Sequence, residues 1–392
     1  MTAAPAGDRL HVVHVIATLT AGGAERQLEM LASRSAHPTT VVVLYGTGGI
    51  ARGVRARGVE VVELDATGWR KLLLPLTLAR LLRRLGQAGQ ADGVGLVHVH
   101  LLSAQVMGIP AARLARVPLV VSTEHSLMDT TIEGRPHTWW LRLLYRGLER
   151  LTHHTIAVSE VTARRLERWG VRRDRITVAD LGVDLDAVAF EAADRAEVRA
   201  ELGVTPETPV VVAVGRLDPV KRMDVALRSC APLLREGAVL AVAGAGPLDG
   251  DLRALAADLG VADQVRWLGS RDRVGPVLSA ADVLLSASAD ETFGMAVVEA
   301  LGNGLPVVFA QCPAVESLPD ALEQAHHVPA SGDETTDAAA LGRAVAARLA
   351  STAQRRWPVP PALVAAYGAQ SAADRVDAVY ARLRAPRGSR RG

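Results

Sequence analysis

Cysteine, aromatic residues and lysine are scarce in this chain of 392 residues. The scarcity of the first two excludes several kinds of site. Two cysteines, Cys230 and Cys312, are too few for a disulfide framework or a cysteine-based zinc site, and they fit a reducing compartment. Aromatic residues make up 3% of the chain, too few for base-stacking platforms, and the net charge is only +2. We therefore expect an aliphatic core and no nucleic-acid partner.

Long hydrophobic runs are also missing. The longest apolar stretch, residues 72–82, contains Pro75 and Arg80 and is shorter than the ~20 residues that span a bilayer. The first eight residues carry no basic segment of the kind that opens a signal peptide. These absences predict a cytoplasmic protein.

Short runs rich in Val, Ile and Leu alternate with helical patterns along the chain. Such runs, without polar alternation, suit parallel strands buried on both faces, and their repetition with helices builds a doubly wound α/β fold. The predicted strands are residues 10–16, 40–45, 59–64, 94–100, 119–123, 155–158, 176–178, 210–215, 239–243, 265–268, 283–286 and 306–309.

The alternation breaks between about residues 181 and 209, which predicts two Rossmann-like domains with a ligand cleft between them. We place the first domain at residues 1–185 and the second at 186–361. An amphipathic pattern then predicts a helix over 362–384, and the basic end of the chain, 385–392, is expected to be disordered.

Two carboxylates, Glu291 and Glu299, flank the start of a predicted helix that follows the strand at 283–286. The helix start directs backbone N–H groups toward anionic or hydroxyl ligands. Seven residues separate the carboxylates, so both can reach one extended ligand. Glu299 also lies between Val298 and Ala300, and a carboxylate on an apolar helix needs partners.

This segment resembles the E-x7-E signature of glycosyltransferase family four, whose members have the GT-B fold and retain the configuration of the transferred sugar. The resemblance runs from about Val12 to Tyr380. It implies that Glu291 lies beside the transferred sugar, that Glu299 binds the ribose of the nucleotide, and that amides around Phe293, Gly294 and Met295 hold sugar hydroxyls. It also implies a C-terminal helix that crosses back to the first domain.

A second pair of candidates, Arg216 and Lys221, follows the strand at 210–215. A diphosphate is bound well by two separated cations, and Lys221 is one of only two lysines in the chain. The segment resembles the family's G-R-L…K-G/R motif, which implies that both cations neutralise the departing diphosphate. We expect no metal site and no cofactor besides the substrate, a nucleoside diphosphate sugar, with a UDP-sugar as the expected donor.

The first domain offers a glycine turn and a histidine at strand ends. Gly22 and Gly23 open the first helix, where backbone approaches a ligand closely, and the resemblance places them at the diphosphate. His125 follows the strand at 119–123 and matches the family's active-site histidine. Of the pair before it, we interpret His98 as structural and His100 as lining the acceptor side.

The glycine pattern of the second domain does not fit a dinucleotide-binding protein. Gly244 and Gly246 begin a dinucleotide fingerprint, but Asp249 occupies the position of the expected third glycine, and Pro247 breaks the turn. No P-loop is present. A nucleotide-sugar epimerase and a non-catalytic nucleotide-sugar-binding protein stay open as alternatives.

The expected acceptor is a hydroxyl group of a glycan, of a lipid-linked molecule or of a small natural product. Trp139 and Trp140 lie in an apolar helical stripe in the acceptor half, and Trp69 precedes a second stripe that carries Lys71. These stripes predict either helices packed on the sheet or a peripheral contact with the inner face of the cell membrane.

Overall fold

The structure is a computed structural model that describes residues 9–20, 22–87, 93–319, 322–351 and 356–385. Residues 386–392 of the predicted disordered tail, and Ala21 of the glycine turn, lie outside this range. The chain forms two compact units. The first comprises the described residues up to Gly182 and from Ala369 onward, and the second runs from Val183 to Gly368.

The first unit is a parallel sheet with helices on both faces. Its strands are β1 (His11–Leu19), β2 (Thr39–Thr47), β3 (Glu60–Glu63), β4 (Val94–His100), β5 (Leu119–Glu124), β8 (His154–Ala157) and β9 (Ile176–Val178). A small hairpin pairs β6 (Thr131–Ile132) with β7 (Arg135–Pro136). The sheet order is β3-β2-β1-β4-β5-β8-β9, so the order reverses between β1 and β4.

The described residues of this unit form seven helices. They are α1 (Gly23–Arg34), α2 (Gly49–Ala56), α3 (Arg70–Gln87), α4 (Leu102–Leu114), α5 (Trp139–Leu151), α6 (Glu160–Arg168) and α16 (Ala369–Arg384). Helices α3, α4 and α5 contribute to one core on one face of the sheet. Helices α1 and α16 pack against the other face, where Met30, Val376 and Tyr380 are buried together.

In the second unit, the part that the structure describes contains a parallel sheet of six strands. They are β10 (Val210–Val214), β11 (Val239–Ala243), β12 (Val265–Gly269), β13 (Val283–Ser286), β14 (Val307–Phe309) and β15 (Ala325–His327). The order is β12-β11-β10-β13-β14-β15, which reverses between β10 and β13. The three-residue β15 was not predicted, because its sequence, Ala-His-His, lacks the aliphatic run that identifies the other strands.

The helices of the second unit surround this sheet. They are α7 (Leu185–Val188), α8 (Ala192–Leu202), α9 (Met223–Arg235), α10 (Asp249–Asp258), α11 (Gly275–Ala280), α12 (Met295–Gly302), α13 (Pro313–Glu316), α14 (Glu334–Ala350) and α15 (Pro361–Tyr367). Short 3₁₀ turns lie at Arg173–Arg175, Pro219–Lys221 and Ala262–Gln264. Among the described residues, no helix is both long and apolar enough to cross a membrane.

The polypeptide passes from one unit to the other at two positions, and both lie a few residues from the predicted domain boundaries. The Val183 amide donates to the Tyr367 carbonyl at 2.7 Å, while the amide of Gly182 donates to the Gln27 side chain at 3.0 Å. Val183 therefore belongs to the second unit and Gly182 to the first. The boundary between the units thus lies before Leu185, the last residue of the predicted first domain. The helix predicted over 362–384 is two helices, because Gly368 adopts an extended conformation (φ −57°, ψ 140°) between α15 and α16.

Candidate active site

The candidate donor residues of the second unit lie where its strand order reverses. Residues that follow β10 and β13 emerge side by side at the carboxyl edge of the sheet, because these two parallel strands are neighbours. Reversal points of this kind open a crevice in which ligands of doubly wound sheets bind. The fold therefore brings together the segments around Lys221 and Glu291, which are 70 residues apart in sequence.

The loop after β10 is shaped by Gly215 and Asp218. Gly215 has a φ of +155°, a conformation that residues with a side chain rarely adopt. Asp218 caps the 3₁₀ turn by accepting a bond from the Lys221 amide at 3.3 Å, and it pairs with the Arg216 guanidinium. The Arg216 side chain stays largely exposed, so a cation stands at the edge of the sheet.

Lys221 and Glu291 form a direct ion pair. The Lys221 ammonium donates to the Glu291 carboxylate with 2.6 Å between Nζ and Oε1, and the carboxylate is largely buried. The Glu291 amide donates to the Gln311 side chain at 2.7 Å, and Ser288 donates to the Val220 carbonyl at 2.9 Å. Two residues with separate predicted roles, one at the diphosphate and one at the sugar, thus touch.

The segment from Phe293 to Met295, predicted to hold sugar hydroxyls through its amides, leads into helix α12. The Phe293 ring is buried and meets the Tyr367 ring edge-on, with 5.2 Å between centroids, so this side chain belongs to the core. Gly294 has a φ of +97°, and a Cβ there would lie 2.4 Å from the Cys312 sulfur. Helix α12 then begins at Met295, which is partly buried. At Phe293 and Gly294, a contact with sugar would use the backbone.

Glu299 is the only charged residue of α12. Its side chain is partly buried, eight positions after Glu291 and in the second turn of the helix. The observation that motivated its prediction, a carboxylate among apolar neighbours, therefore holds in the folded chain: Val298 and Ala300 on either side are fully buried.

Gly244 and Gly246, which do not form a dinucleotide-binding fingerprint, have a role in packing. The Leu217 amide donates to the Ala245 carbonyl at 3.1 Å, which brings the loops after β10 and β11 into contact. A Cβ on Gly244 would lie 1.8 Å from the Gly215 carbonyl oxygen, and one on Gly246 would lie 2.4 Å from that of Leu217. Both glycines therefore let the loop that carries Arg216 lie close against its neighbour.

In the first unit, the glycine turn follows β1 at the other reversal point. Helix α1 begins at Gly23, and Gly22 is its N-cap without a side-chain bond. A Cβ on Gly22 would lie 2.2 Å from a carboxylate oxygen of Glu25, whereas a Cβ on Gly23 would meet nothing within 4 Å. The carboxylate of Glu25 accepts a bond from Thr18 at 3.2 Å.

His125 follows β5 and is mostly buried. Its Nε2 lies 3.2 Å from Nδ1 of His100, and burial lowers the pKa of His125 to about 4. The prediction that His100 lines the acceptor side is wrong, because the His100 side chain is fully buried behind His125. His98 bonds to the Tyr380 hydroxyl and to Thr123, both at 2.6 Å, and ties α16 to the sheet, as expected of a structural residue.

His14 was not among the candidate residues predicted from the sequence. This residue of β1 lies opposite His98 of β4, and its Nδ1 is 2.9 Å from Nε2 of His100. The three histidines bring ring nitrogens within 4.8 Å of one another, close enough for a metal, although no cysteine or histidine spacing in the sequence indicated one. Both nitrogens of His98 and of His100, and Nδ1 of His14, already bond to another imidazole, to Tyr380 or to Thr123, so we assign them no metal.

Trp139 and Trp140 do not pack on the sheet. Helix α5 buries Leu141, Tyr145 and Leu148 and leaves the tryptophans exposed, Trp139 at 76%. Only Leu148 is buried among the six residues of the predicted apolar stripe, which are Trp139, Trp140, Leu143, Leu144, Leu148 and Leu151. The packed-helix interpretation therefore fails for the stripe itself, since a different face of α5 contacts the sheet.

Both units match models of known protein families. Residues 21–187 match the family model described as Glycosyltransferase Family 4, and residues 194–348 match Glycosyl transferases group 1. The chain is 34% identical to a D-inositol 3-phosphate glycosyltransferase of Nocardia farcinica, over 86% of this chain and 76% of that protein. It is 29% identical to a protein of the same name from Streptomyces scabiei, over 81% and 73%.

Solved structures share the fold at low sequence identity. Alr3699/HepE of Anabaena, crystallised with UDP and glucose, superposes with a TM-score of 0.79 at 19% identity, over 95% of this chain and 99% of that one. A glycosyltransferase of Rickettsia africae superposes with a TM-score of 0.71 at 14% identity, over 96% and 99%. The two parallel sheets are thus those of a GT-B fold.

Proposed function

The chain belongs to glycosyltransferase family 4, and from this premise we propose that it transfers a sugar, with retention, from a UDP-sugar to an acceptor hydroxyl. The observation that carries the proposal is the Lys221–Glu291 ion pair at the strand reversal of the second unit. It joins the cation proposed for the diphosphate to the carboxylate proposed for the sugar, at the edge where such a fold binds nucleotides.

The chemical task is to stabilise negative charge on the departing diphosphate and positive charge on the sugar. We assign the first part to Arg216 and Lys221, with backbone amides at Gly22 and Gly23. The second falls to Glu291, and the backbone around Gly294 holds the sugar. His125, neutral at pH 7 because burial lowers its pKa, acts as a hydrogen-bonding group toward the sugar.

Retention follows if the acceptor attacks on the face from which the diphosphate leaves and passes its proton to that diphosphate. This route needs no protein nucleophile, and the two cations replace a divalent metal at the phosphates. UDP is proposed as the nucleotide because Anabaena HepE, which shares the fold, was crystallised with it.

Turnover of UDP-sugars with and without an acceptor tests the proposed function. We expect release of UDP only when an acceptor is present, and D-inositol 3-phosphate, which the relatives are named for, is the first acceptor to supply. Conversion of the donor to its epimer without acceptor would instead establish the epimerase. Binding of donor without any turnover, across soluble and vesicle-presented acceptors, would establish a binding protein.

Glu299 supplies a test of nucleotide binding. Glu299→Ala should weaken the affinity for UDP by on the order of 1–3 kcal/mol, because it removes a charged acceptor for the ribose hydroxyls. Calorimetric titration of UDP into the variant measures this loss. Glu207→Ala, which removes an exposed carboxylate from a loop of the same unit, is the matched control. Equal UDP affinity of Glu299→Ala and wild type would remove Glu299 from the ribose site.

We also propose that the first unit binds the inner, anionic face of the cell membrane, and that the protein is cytoplasmic. Trp69 and, from α3, Leu72 and Leu73 are exposed, Leu72 at 83%, next to the exposed Lys71. Helix α3 carries no acidic residue. The one acidic residue of α5, Glu149, is largely buried and pairs with Arg175 at 3.0 Å, so the exposed face of α5 carries none. Apolar and cationic side chains in this mixture fit the surface of an anionic bilayer.

Sedimentation with vesicles tests the membrane contact. Wild type should pellet with vesicles that contain anionic lipid, and Lys71→Glu combined with Leu73→Glu should weaken the association by about tenfold or more, since each basic residue near such a surface contributes about 1 kcal/mol. Leu114 is the last residue of α4 and is about as exposed as Leu73. The variant Leu114→Glu should pellet like wild type. Pelleting that is independent of anionic lipid, or equal for all three proteins, would contradict the proposal.

A further inference from the structure

Three histidines of the first unit form a hydrogen-bonded chain that leads from the candidate active site into the core. Nε2 of His125 lies 3.2 Å from Nδ1 of His100, and Nε2 of His100 lies 2.9 Å from Nδ1 of His14. The three residues are 7%, 0% and 1% exposed. His125 directly follows β5, whereas His100 and His14 lie on the neighbouring strands β4 and β1. None of these contacts involves a carboxylate.

All three imidazole rings of this hydrogen-bonded series are neutral at physiological pH. Burial lowers the pKa of His14 to about 3 and that of His125 to about 4, and burial together with the neighbouring histidines holds the pKa of His100 well below its usual value. A neutral imidazole has one N–H donor and one nitrogen acceptor. Each ring can therefore donate on one side of the chain and accept on the other.

The connectivity couples the tautomers of all three rings. If Nε2–H of His125 donates to His100, then His100 must carry its own proton on Nε2, and it donates to Nδ1 of His14, whose proton is again on Nε2. If the chain runs the other way, all three protons are on Nδ1. Any other combination places two hydrogens or two lone pairs against each other within the core.

We propose that His100 and His14 are positioning residues, which hold the imidazole of His125 in one orientation and one tautomer toward the transferred sugar. The inference rests on the proposed role of His125 and adds to it that the donor or acceptor character of Nδ1 is decided by rings up to two positions deeper in the fold. His98 lies beside the chain, with 4.1 Å between its ring centroid and that of His100, but its nitrogens bond to Tyr380 and Thr123 instead.

Nitrogen NMR of the protein labelled at histidine with ¹⁵N tests the coupling directly. We expect three neutral rings at pH 7 with their protons on the same type of nitrogen, either Nε2 in all three or Nδ1 in all three. Different tautomers among His14, His100 and His125 in wild type, a charged ring, or a ring bound to metal in the purified enzyme would each overturn the inference.

Substitution of His100 then tests the consequence for catalysis. His100→Phe should leave His125 exchanging between both tautomers and should lower kcat by roughly tenfold or more, as when a catalytic imidazole loses the group that selects its tautomer. KM for the donor should change by no more than about twofold, because the nucleotide contacts are untouched. A single wild-type tautomer of His125 in this variant would contradict the proposal.

Two further variants keep the test decisive. His98→Phe removes a buried imidazole of the same cluster and its bond to Tyr380, so it should lower thermal stability while His125 keeps its tautomer. If His100→Phe does not fold, His14→Phe removes the inner end of the chain and should also release the tautomer of His125. If wild type turns over no donor, the proposed function fails, while the NMR measurement still decides this inference.

Discussion

Lys221→Ala and Arg216→Ala are expected to lower kcat/KM by roughly 10²-fold or more each, the effect of removing a charge that stabilises the transition state. Lys221 has the more defined geometry, because its ammonium lies 2.6 Å from the Glu291 carboxylate and its backbone is capped by Asp218. A donor diphosphate would compete with Glu291 for this ammonium. Lys221→Ala therefore also leaves the largely buried Glu291 carboxylate without this partner.

The measurement is steady-state turnover of the UDP-sugar, with Arg253→Ala as a matched control. Arg253 forms an ion pair with Asp249 in the same unit at 2.9 Å, but this pair is exposed on α10 and distant in sequence from both site segments. We expect the control to match wild type and all activities to survive EDTA. Loss of activity on chelation that Mg²⁺ or Mn²⁺ restores would contradict the assignment of the diphosphate to these two cations alone.

Glu124→Gln is expected to stabilise the protein above pH 7, with a dependence on pH that identifies the cause. Glu124 immediately precedes His125 and is fully buried, and burial raises the pKa of its carboxyl from 4.5 to about 7. It accepts bonds from the Ser126 amide and the Tyr145 hydroxyl, both at 3.0 Å, which only partly offset the cost of burying the charge. Ionised Glu124 thus destabilises the fold.

The sign of the effect follows from proton binding. Between pH 4.5 and 7 the folded protein holds a proton on Glu124 that the unfolded chain has lost, so the contribution of Glu124 to stability falls as pH rises through this range. The free-energy advantage of Glu124→Gln over wild type should grow across that range by about 3 kcal/mol and then level off.

Urea unfolding of both proteins from pH 5 to pH 8 measures this difference. The buried histidines act in the opposite direction, since their lowered pKa values make stability fall as pH drops below 6.5, but they are present in both proteins and cancel. Glu63→Gln serves as the reverse control, because a bond from Arg55 lowers the pKa of Glu63. A difference between Glu124→Gln and wild type that does not change with pH would show that Glu124 is uncharged throughout, or that its charge costs nothing.

The amino-acid sequence by itself determined the fold class and indicated the segments of the candidate donor site. Aliphatic runs such as Val210–Val214 and Val94–His100 are long enough to identify strands buried on both faces, and their alternation with helices admits few topologies. Gly294 and Glu299 are close in sequence to the strand end and helix start that position them. Local signals of this kind are readable because the interactions that produce them span only a few residues.

Only the tertiary structure decided which residues meet and which faces are buried. Lys221 contacts Glu291, and His14 contacts His100, because strands distant in sequence are neighbours in a sheet, and sequence spacing does not encode sheet order. His100 looked accessible at a strand end, but the sheet and His125 enclose it. Helix α5 is apolar on more than one face, so its periodicity could not distinguish the buried Leu141 face from the exposed tryptophans; that choice depends on the surface against which the helix packs.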